Sequence, residues 1–239
     1  VSVPTGIREH ELEAGVLGWV IDNPARRNAI APPMFEWIAS RCAELSGEVV
    51  ILRGAGDRAF SAGFDLTALD GRTRGQPPDE VLIRATAAIQ DADATFIAAL
   101  NGYVIGAGVE LVATCDFRLA CPAASLRVPA GKLGVVYHAA GLTRIHAAFG
   151  STVARRLLLA GEQVAIEDVR SSLAYLVELE QLDQQALALA RRIRELSPHS
   201  VAGNRRLLRA LDRSRALPDE LLEAHEQARL EAYRRLGAT

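Results

Sequence analysis

The chain has very little lysine, cysteine or methionine. Lys132 is its only lysine, so arginine carries nearly all the basic charge, a bias that reads as GC-rich coding rather than function. The three cysteines, Cys42, Cys115 and Cys121, form no C-x-x-C pair and have no histidine at ligand spacing. An odd count in apolar surroundings excludes a disulfide framework and a zinc cluster and predicts reduced, buried thiols. The opening "VSVPTGIREHELEAG" lacks a basic start followed by an apolar run, so no secretory signal is expected there. The longest apolar stretch, "FIAALNGYVIGAGVELVATC", is broken by Asn101 and Glu110 and cannot serve as a membrane span. With 27 basic residues against 29 acidic ones the net charge is -2, which gives no field for gripping a phosphate polymer. A cytoplasmic protein with neither a nucleic-acid nor a membrane partner is expected.

What is present suits a globular fold. The 239 residues are 49% apolar and 23% charged, enough for one large domain or a domain with a helical appendage. "GVLGWVID" (15–22) and "EVVILRG" (48–54) read as strands, and "APPMFEWIASRCAEL" (31–45) as an amphipathic helix with proline in its first turn. A polar loop at 70–80, expected to be flexible, precedes a helix at 81–92 and a strand at 95–102. A Gly turn, a helix from about Ala107 to Cys115 and a strand at 117–121 follow. Strands and helices alternating at such short spacing predict an α/β layered or spiral core. Beyond residue 150 the strands are expected to stop, leaving a helical last third. Its arginines, Arg191 to Arg235, are interleaved with acids at three- and four-residue spacing, which suits solvated or intersubunit helix faces.

Two glycine turns carry the chemistry. "YVIGAGVEL" (103–111) resembles a dinucleotide fingerprint, but its third glycine position is Leu111, and Arg127 and Pro129 lie where the ribose-binding acid belongs. A nicotinamide or flavin site is therefore rejected. A glycine bend entering a helix leaves backbone N–H groups without internal acceptors. Two such bends, "SAGF" (61–64) and "IGAG" (105–108), could aim two donors at one oxygen, as an oxyanion hole does; they could equally be simple tight turns.

Together, "NPARRNAI" (23–30), "GDRAFSAGFDL" (56–66), "NGYVIGAGVELVATCDFRLA" (101–120) and "LGVVYHAAGLTRI" (133–145) resemble the motifs of the crotonase, or enoyl-CoA hydratase/isomerase, superfamily. The resemblance implies an α/β crotonase-like spiral of repeated ββα units over residues 1–185, with a C-terminal helical oligomerisation or lid region at 186–239. It implies an acyl-CoA thioester substrate, a link to fatty acid metabolism, a homotrimer or dimer of trimers, and no prosthetic group or metal, coenzyme A arriving as part of the substrate. It places the oxyanion donors at the N–H groups of Phe64 and Ala107, with the Phe64 ring walling the acyl pocket, and coenzyme A along Arg26, Ala62, Gly63, Asp65 and Leu66. Asp65 is read as a helix cap rather than a catalyst.

Glu110 matches one catalytic glutamate of the family. In an apolar setting its pKa should be raised, which suits an acid/base. The second family glutamate falls at Ala130, which moves no proton, and the usual P-G-A-G reads Tyr137-His138-Ala139-Ala140. An enoyl-CoA hydratase/isomerase-like reaction with a single glutamate is the leading expectation. A branch similar to methylmalonyl-CoA decarboxylase also has tyrosine at the position of Tyr137 and lacks that glutamate, although it carries histidine where Phe64 stands. Decarboxylation of a malonyl-type thioester with Tyr137, aided by His138, is thus the second expectation, and a catalytically impaired acyl-CoA binder the third. Two further departures are noted. Tyr175-Leu176-Val177 replaces a family G-L-V, where a helix C-cap without glycine is expected, and the residues up to "YRRLGAT" do not resemble the family's Lys- and Phe-rich terminal helix, so a different affinity or lid behaviour is expected.

Overall fold

The computed structural model describes residues 2–65, 67, 79–212 and 217–236. In chain order its elements are β1 (Ile7–Glu13), β2 (Val16–Ile21), α1 (Pro32–Cys42), β3 (Ser46–Gly54), β4 (Ala59–Ser61) and α2 (Glu80–Asp91). Then come β5 (Asp93–Leu100), β6 (Tyr103–Ile105), α3 (Ala107–Thr114), β7 (Phe117–Ala120), β8 (Ser125–Arg127) and α4 (Ala139–Leu158). The chain continues with β9 (Gln163–Ala165), β10 (Tyr175–Leu176), α5 (Leu179–Arg194), α6 (Pro198–Asp212) and α7 (Asp219–Leu236).

From β3 to β8, successive strands go alternately to two sheets. One has the order β1-β2-β3-β5-β7-β10 and the other β4-β6-β8-β9. Each of β3-β4-α2, β5-β6-α3 and β7-β8-α4 therefore gives one strand to each sheet and closes with a helix, which is the expected spiral of ββα units. The larger sheet is parallel from β2 onward and buried on both faces. Its strands accordingly read as unbroken apolar runs, such as "VVIL" in β3 and "TFIAAL" in β5. On one face, Val49, Ile51, Ile97 and Leu119 pack against Leu182, Ala186 and Leu189 of α5. On the other, Trp19, Phe35, Phe60 and Phe96 belong to the main core with α1 through α4.

Several sequence expectations need correction. The strands do not stop at residue 150: β9 and β10 lie beyond it, each too short to show a period. Tyr175 and Leu176 form no helix C-cap; they extend the larger sheet by pairing with Leu119 and Ala120, so no left-handed residue is required there. The expected division at 185/186 falls inside α5, whose apolar stripe lies on the sheet. Nor are the C-terminal arginines all on solvated faces. Arg205 and Arg209 of α6 both engage Asp116, with contacts of 3.0 and 2.9 Å, and Arg229 of α7 meets Asp79 at 2.8 Å. These three guanidinium groups dock the last helices onto the core. Of the loop expected at 70–80, all but residues 79 and 80 lie outside the described residues.

Candidate active site

Parallel pairing brings the two glycine turns together. In the smaller sheet Ala59 pairs with Tyr103 and Ser61 with Val104, so β4 and β6 end side by side and their following turns must meet. Gly63 sits at φ 89°, and a Cβ placed on it would lie 2.6 Å from the Ile105 carbonyl oxygen and 3.2 Å from the Ala107 nitrogen. Only glycine allows that approach. The turn is pinned from behind: Ser61 Oγ donates to the Asn28 carbonyl at 2.7 Å and accepts from the Gly63 N–H at 3.0 Å. The Ile30 N–H donates to the Gly63 carbonyl and the Asp65 N–H to the Ile30 carbonyl, at 2.8 and 2.9 Å. Such a parallel bridge leaves the intervening Phe64 N–H pointing the other way.

The second donor follows from the start of α3. Its N-cap is Gly106, which has no side chain to occupy the first N–H groups of the helix, so the Ala107 N–H stays an uncapped donor beside Gly63. The two turns are thus packed against each other, with the residue after Gly63 and the first residue of α3 each contributing an N–H. The Phe64 ring is half-buried and stacks on Phe35 with centroids 5.5 Å apart.

Glu110 lies one helical turn beyond Ala107 and is fully buried. Its Oε1 accepts from Arg144 Nη1 at 2.8 Å and lies 3.3 Å from Thr86 Oγ1. Its Oε2 accepts from the Tyr137 hydroxyl and from His138 Nε2, each at 3.0 Å. The Gly141 N–H donates to His138 Nδ1 at 3.1 Å, which assigns the neutral tautomer with its proton on Nε2. Gly141 is needed for close approach as well. A Cβ there would stand 2.5 Å from Tyr137 Cε1 and 2.7 Å from Glu110 Oε2.

These contacts overturn the expected raised pKa of Glu110. Burial does push the carboxyl up, but His138, the Arg144 charge and the Tyr137 hydroxyl outweigh it and hold the group below its ordinary value. Glu110 is an anion at neutral pH. Tyr137 moves in the opposite direction, well above the usual phenol range, through burial first and then the adjacent Glu110 charge. The phenol therefore keeps its proton and spends it on Oε2.

The remaining predicted residues are distributed as follows. Ala130 begins a short 3-10 turn (Ala130–Leu133) after β8, whose partner in the sheet is β6. Arg26 Nη1 donates to both oxygens of Asp65, at 3.0 and 3.2 Å, and to Thr67 Oγ1. Asp65 also accepts from the Thr67 N–H at 3.1 Å, a capping-type bond. The Ala62 N–H is used by the Arg27 carbonyl at 2.8 Å. Leu66 lies outside the described residues. The α7 helix reaches this region: His225 Nε2 donates to the Tyr137 carbonyl at 2.7 Å. Among the described residues no group of three or more His, Cys, Asp or Glu could hold a metal ion, and no helix is long and apolar enough to cross a membrane.

Sequence reasoning missed Arg144, Thr86 and Gln90. A signal existed for Arg144, which follows Gly141 by three positions and so shares its face of α4. Nothing local marks Thr86 or Gln90.

The chain belongs to the enoyl-CoA hydratase/isomerase family, whose profile matches residues 11–230. Among curated proteins it is 30% identical over 171 residues to the carnitinyl-CoA dehydratase of Citrobacter koseri, covering 68% of this chain and 63% of that protein. The match thus spans less than two thirds of that relative's length. Among solved structures it resembles an enoyl-CoA hydratase/carnitine racemase from Magnetospirillum magneticum, with TM-score 0.80, 26% identity, and coverage of 92% of this chain and 86% of the other. The fold is also that of a methylmalonyl-CoA decarboxylase in complex with 2-nitronate-propionyl-CoA, with TM-score 0.86, 21% identity, and coverage of 96% and 91%.

Proposed function

We propose that the protein is an enzyme acting on an acyl-CoA thioester by an enoyl-CoA hydratase/isomerase-type reaction. The Phe64 and Ala107 N–H groups hold the thioester oxygen while negative charge develops on it, and Glu110 is the single acid/base. The observation that carries this reading is the close packing of the Gly63 turn against the start of α3, where a Cβ on Gly63 would reach 3.2 Å from the Ala107 nitrogen, with Glu110 one turn further along the same helix. Two donors aimed at a developing oxyanion stabilise it more than they stabilise the neutral thioester, so they lower the barrier rather than merely bind. The coenzyme A part lies along Arg26, Ala62, Gly63, Asp65 and Leu66. Membership of the family supports the substrate class. Exposed Leu207, Leu208 and Leu211 on α6 support assembly into trimers or paired trimers, which sedimentation velocity would test.

Two observations favour a second reaction at the same site, decarboxylation of a malonyl-type thioester. Ala130 supplies no second carboxylate, and Glu110 is ionised with both oxygens occupied. Loss of carbon dioxide needs no base: the electron pair of the breaking C–C bond passes into the thioester, and the same two N–H groups hold the enolate oxygen. In this reading Tyr137, aided by His138, orients the departing carboxylate, and a proton from solvent delivered to the enolate carbon completes the step. One panel separates the readings. Loss of enoyl-CoA absorbance supports hydration, and carbon dioxide release from a malonyl-type thioester supports decarboxylation. Tight acyl-CoA binding without turnover on either would leave a binding protein and reject both.

A further inference from the structure

A carboxylate with no solvent exposure normally sheds its charge by taking up a proton, and Glu110 has none. His138 opposes this first, through its hydrogen bond to Oε2, and beside it stands the guanidinium of Arg144, itself only 9% exposed. Arg144 Nη1 donates to Glu110 Oε1 at 2.8 Å, while its Nε donates to Gln90 Oε1 at 3.0 Å. Gln90 lies on α2, Arg144 on α4 and Glu110 on α3, so the guanidinium is braced between two helices and aimed at a third.

The other groups facing Glu110 carry no permanent charge. Thr86 of α2 brings a hydroxyl, Tyr137 a phenol, and His138 the Nε2–H of a ring whose Nδ1 is already an acceptor. Further out, Asp79 and Tyr233 act on Tyr137, Glu226 feels His138, and His225 holds the Tyr137 carbonyl. Among the described residues Arg144 is thus the one permanent positive charge hydrogen-bonded to Glu110.

We propose that Arg144, braced by Gln90, is a positioning residue that fixes Glu110 as a carboxylate and so keeps the Tyr137 hydroxyl and the His138 Nε2–H committed to Oε2. The inference rests on Glu110 being a working part of the site. Its chemical consequence is specific: Arg144 sets the pH below which Glu110 takes up a proton, ceases to be a base and releases Tyr137 from its present hydrogen bond. A Lys at 144 would retain the charge but lose the two-armed brace to Gln90.

The test is an infrared titration of the protonated carboxyl C=O band in the full chain, assigned to Glu110 by its disappearance in E110Q. In the native protein the band should appear only below the ordinary value of 4.5. In R144M it should titrate about 1 to 3 pH units higher, the range expected when an adjacent arginine charge is lost. R144K should recover most of that shift, and Q90L should move it by less than R144M does. The acid limb of kcat/KM should move with the band for whichever thioester is turned over. A Glu110 band at the same pH in native and folded R144M protein would overturn the proposal. If R144M does not fold, an unshifted Q90L overturns it. Because the titration needs no substrate, a shifted band in a protein that turns over nothing would sustain this inference while rejecting the functional reading.

Discussion

The two sides of the candidate site are built from different material. The proposed oxyanion side is backbone: the Phe64 and Ala107 N–H groups stand in two turns that meet because β4 and β6 are parallel neighbours. The opposite side is all side chain, with Glu110, Tyr137, His138 and Arg144 converging from α3, the loop before α4, and α4 itself. The backbone side depends on space and direction and is nearly indifferent to which side chain an N–H belongs to. That is why Ala at 107 can serve as a donor. The side-chain side depends on identity and charge balance, since one buried anion is compensated by one buried cation.

The difference can be broken from either side, most severely at Glu110. Glu110→Gln leaves Arg144 buried without its anion and should destabilise the fold by about 3 to 5 kcal/mol as well as abolishing activity. Retained turnover in that variant would remove Glu110 from the mechanism. Gly63→Val places a branched side chain at a left-handed φ and into the Ile105 carbonyl. It should cost about 1 to 3 kcal/mol of strain and, by displacing one donor, reduce turnover about 100- to 1000-fold, read from urea unfolding and steady-state kinetics.

A pH series sharpens the same point. Glu110 has a folded pKa below its ordinary value of 4.5, so its contribution to stability is present above that value and is lost as the pH falls through the folded one. Urea midpoints of the native chain should therefore decline more steeply than those of E110Q under acid conditions. Tyr137→Phe removes one hydrogen bond to a charged group and should cost about 1.5 to 3 kcal/mol, with Arg144 and His138 still holding the carboxylate. Unchanged turnover of a malonyl-type thioester in Tyr137→Phe would reject the decarboxylase reading. The smallest effect is expected at Arg26→Ala. Its guanidinium is about half exposed and already paired with Asp65, so stability should change by less than about 1 kcal/mol. Isothermal titration with coenzyme A would then report only its part in ligand binding.

The long elements were legible because their patterns repeat often enough to be read. The apolar runs of β3 and β5 and the amphipathic faces of α1 and α2 lie within a few residues of their expected bounds. Glycine at 150 marked a break, and its φ of 80° kinks α4 at that point. Three-residue strands such as β4, β8 and β9 offer no period to detect. On the site, the glycines and Glu110 stood in recognisable motifs. Arg144 stood within one of those motifs, but its pairing with Glu110 was not legible, because that ion pair joins residues 34 positions apart, and nothing local marked Gln90.

By itself the sequence determined where the two glycine bends and the one surviving glutamate stand, because left-handed turns and helix starts are local demands on residue type. It also fixed the absence of a carboxylate at Ala130. The charge state of Glu110 was decided only by tertiary structure. Burial alone would have raised its pKa, and the sequence pointed that way. What reversed the sign was the convergence of His138, the Arg144 guanidinium and the Tyr137 hydroxyl on a carboxylate held by a different helix, contacts that exist only once the chain has folded.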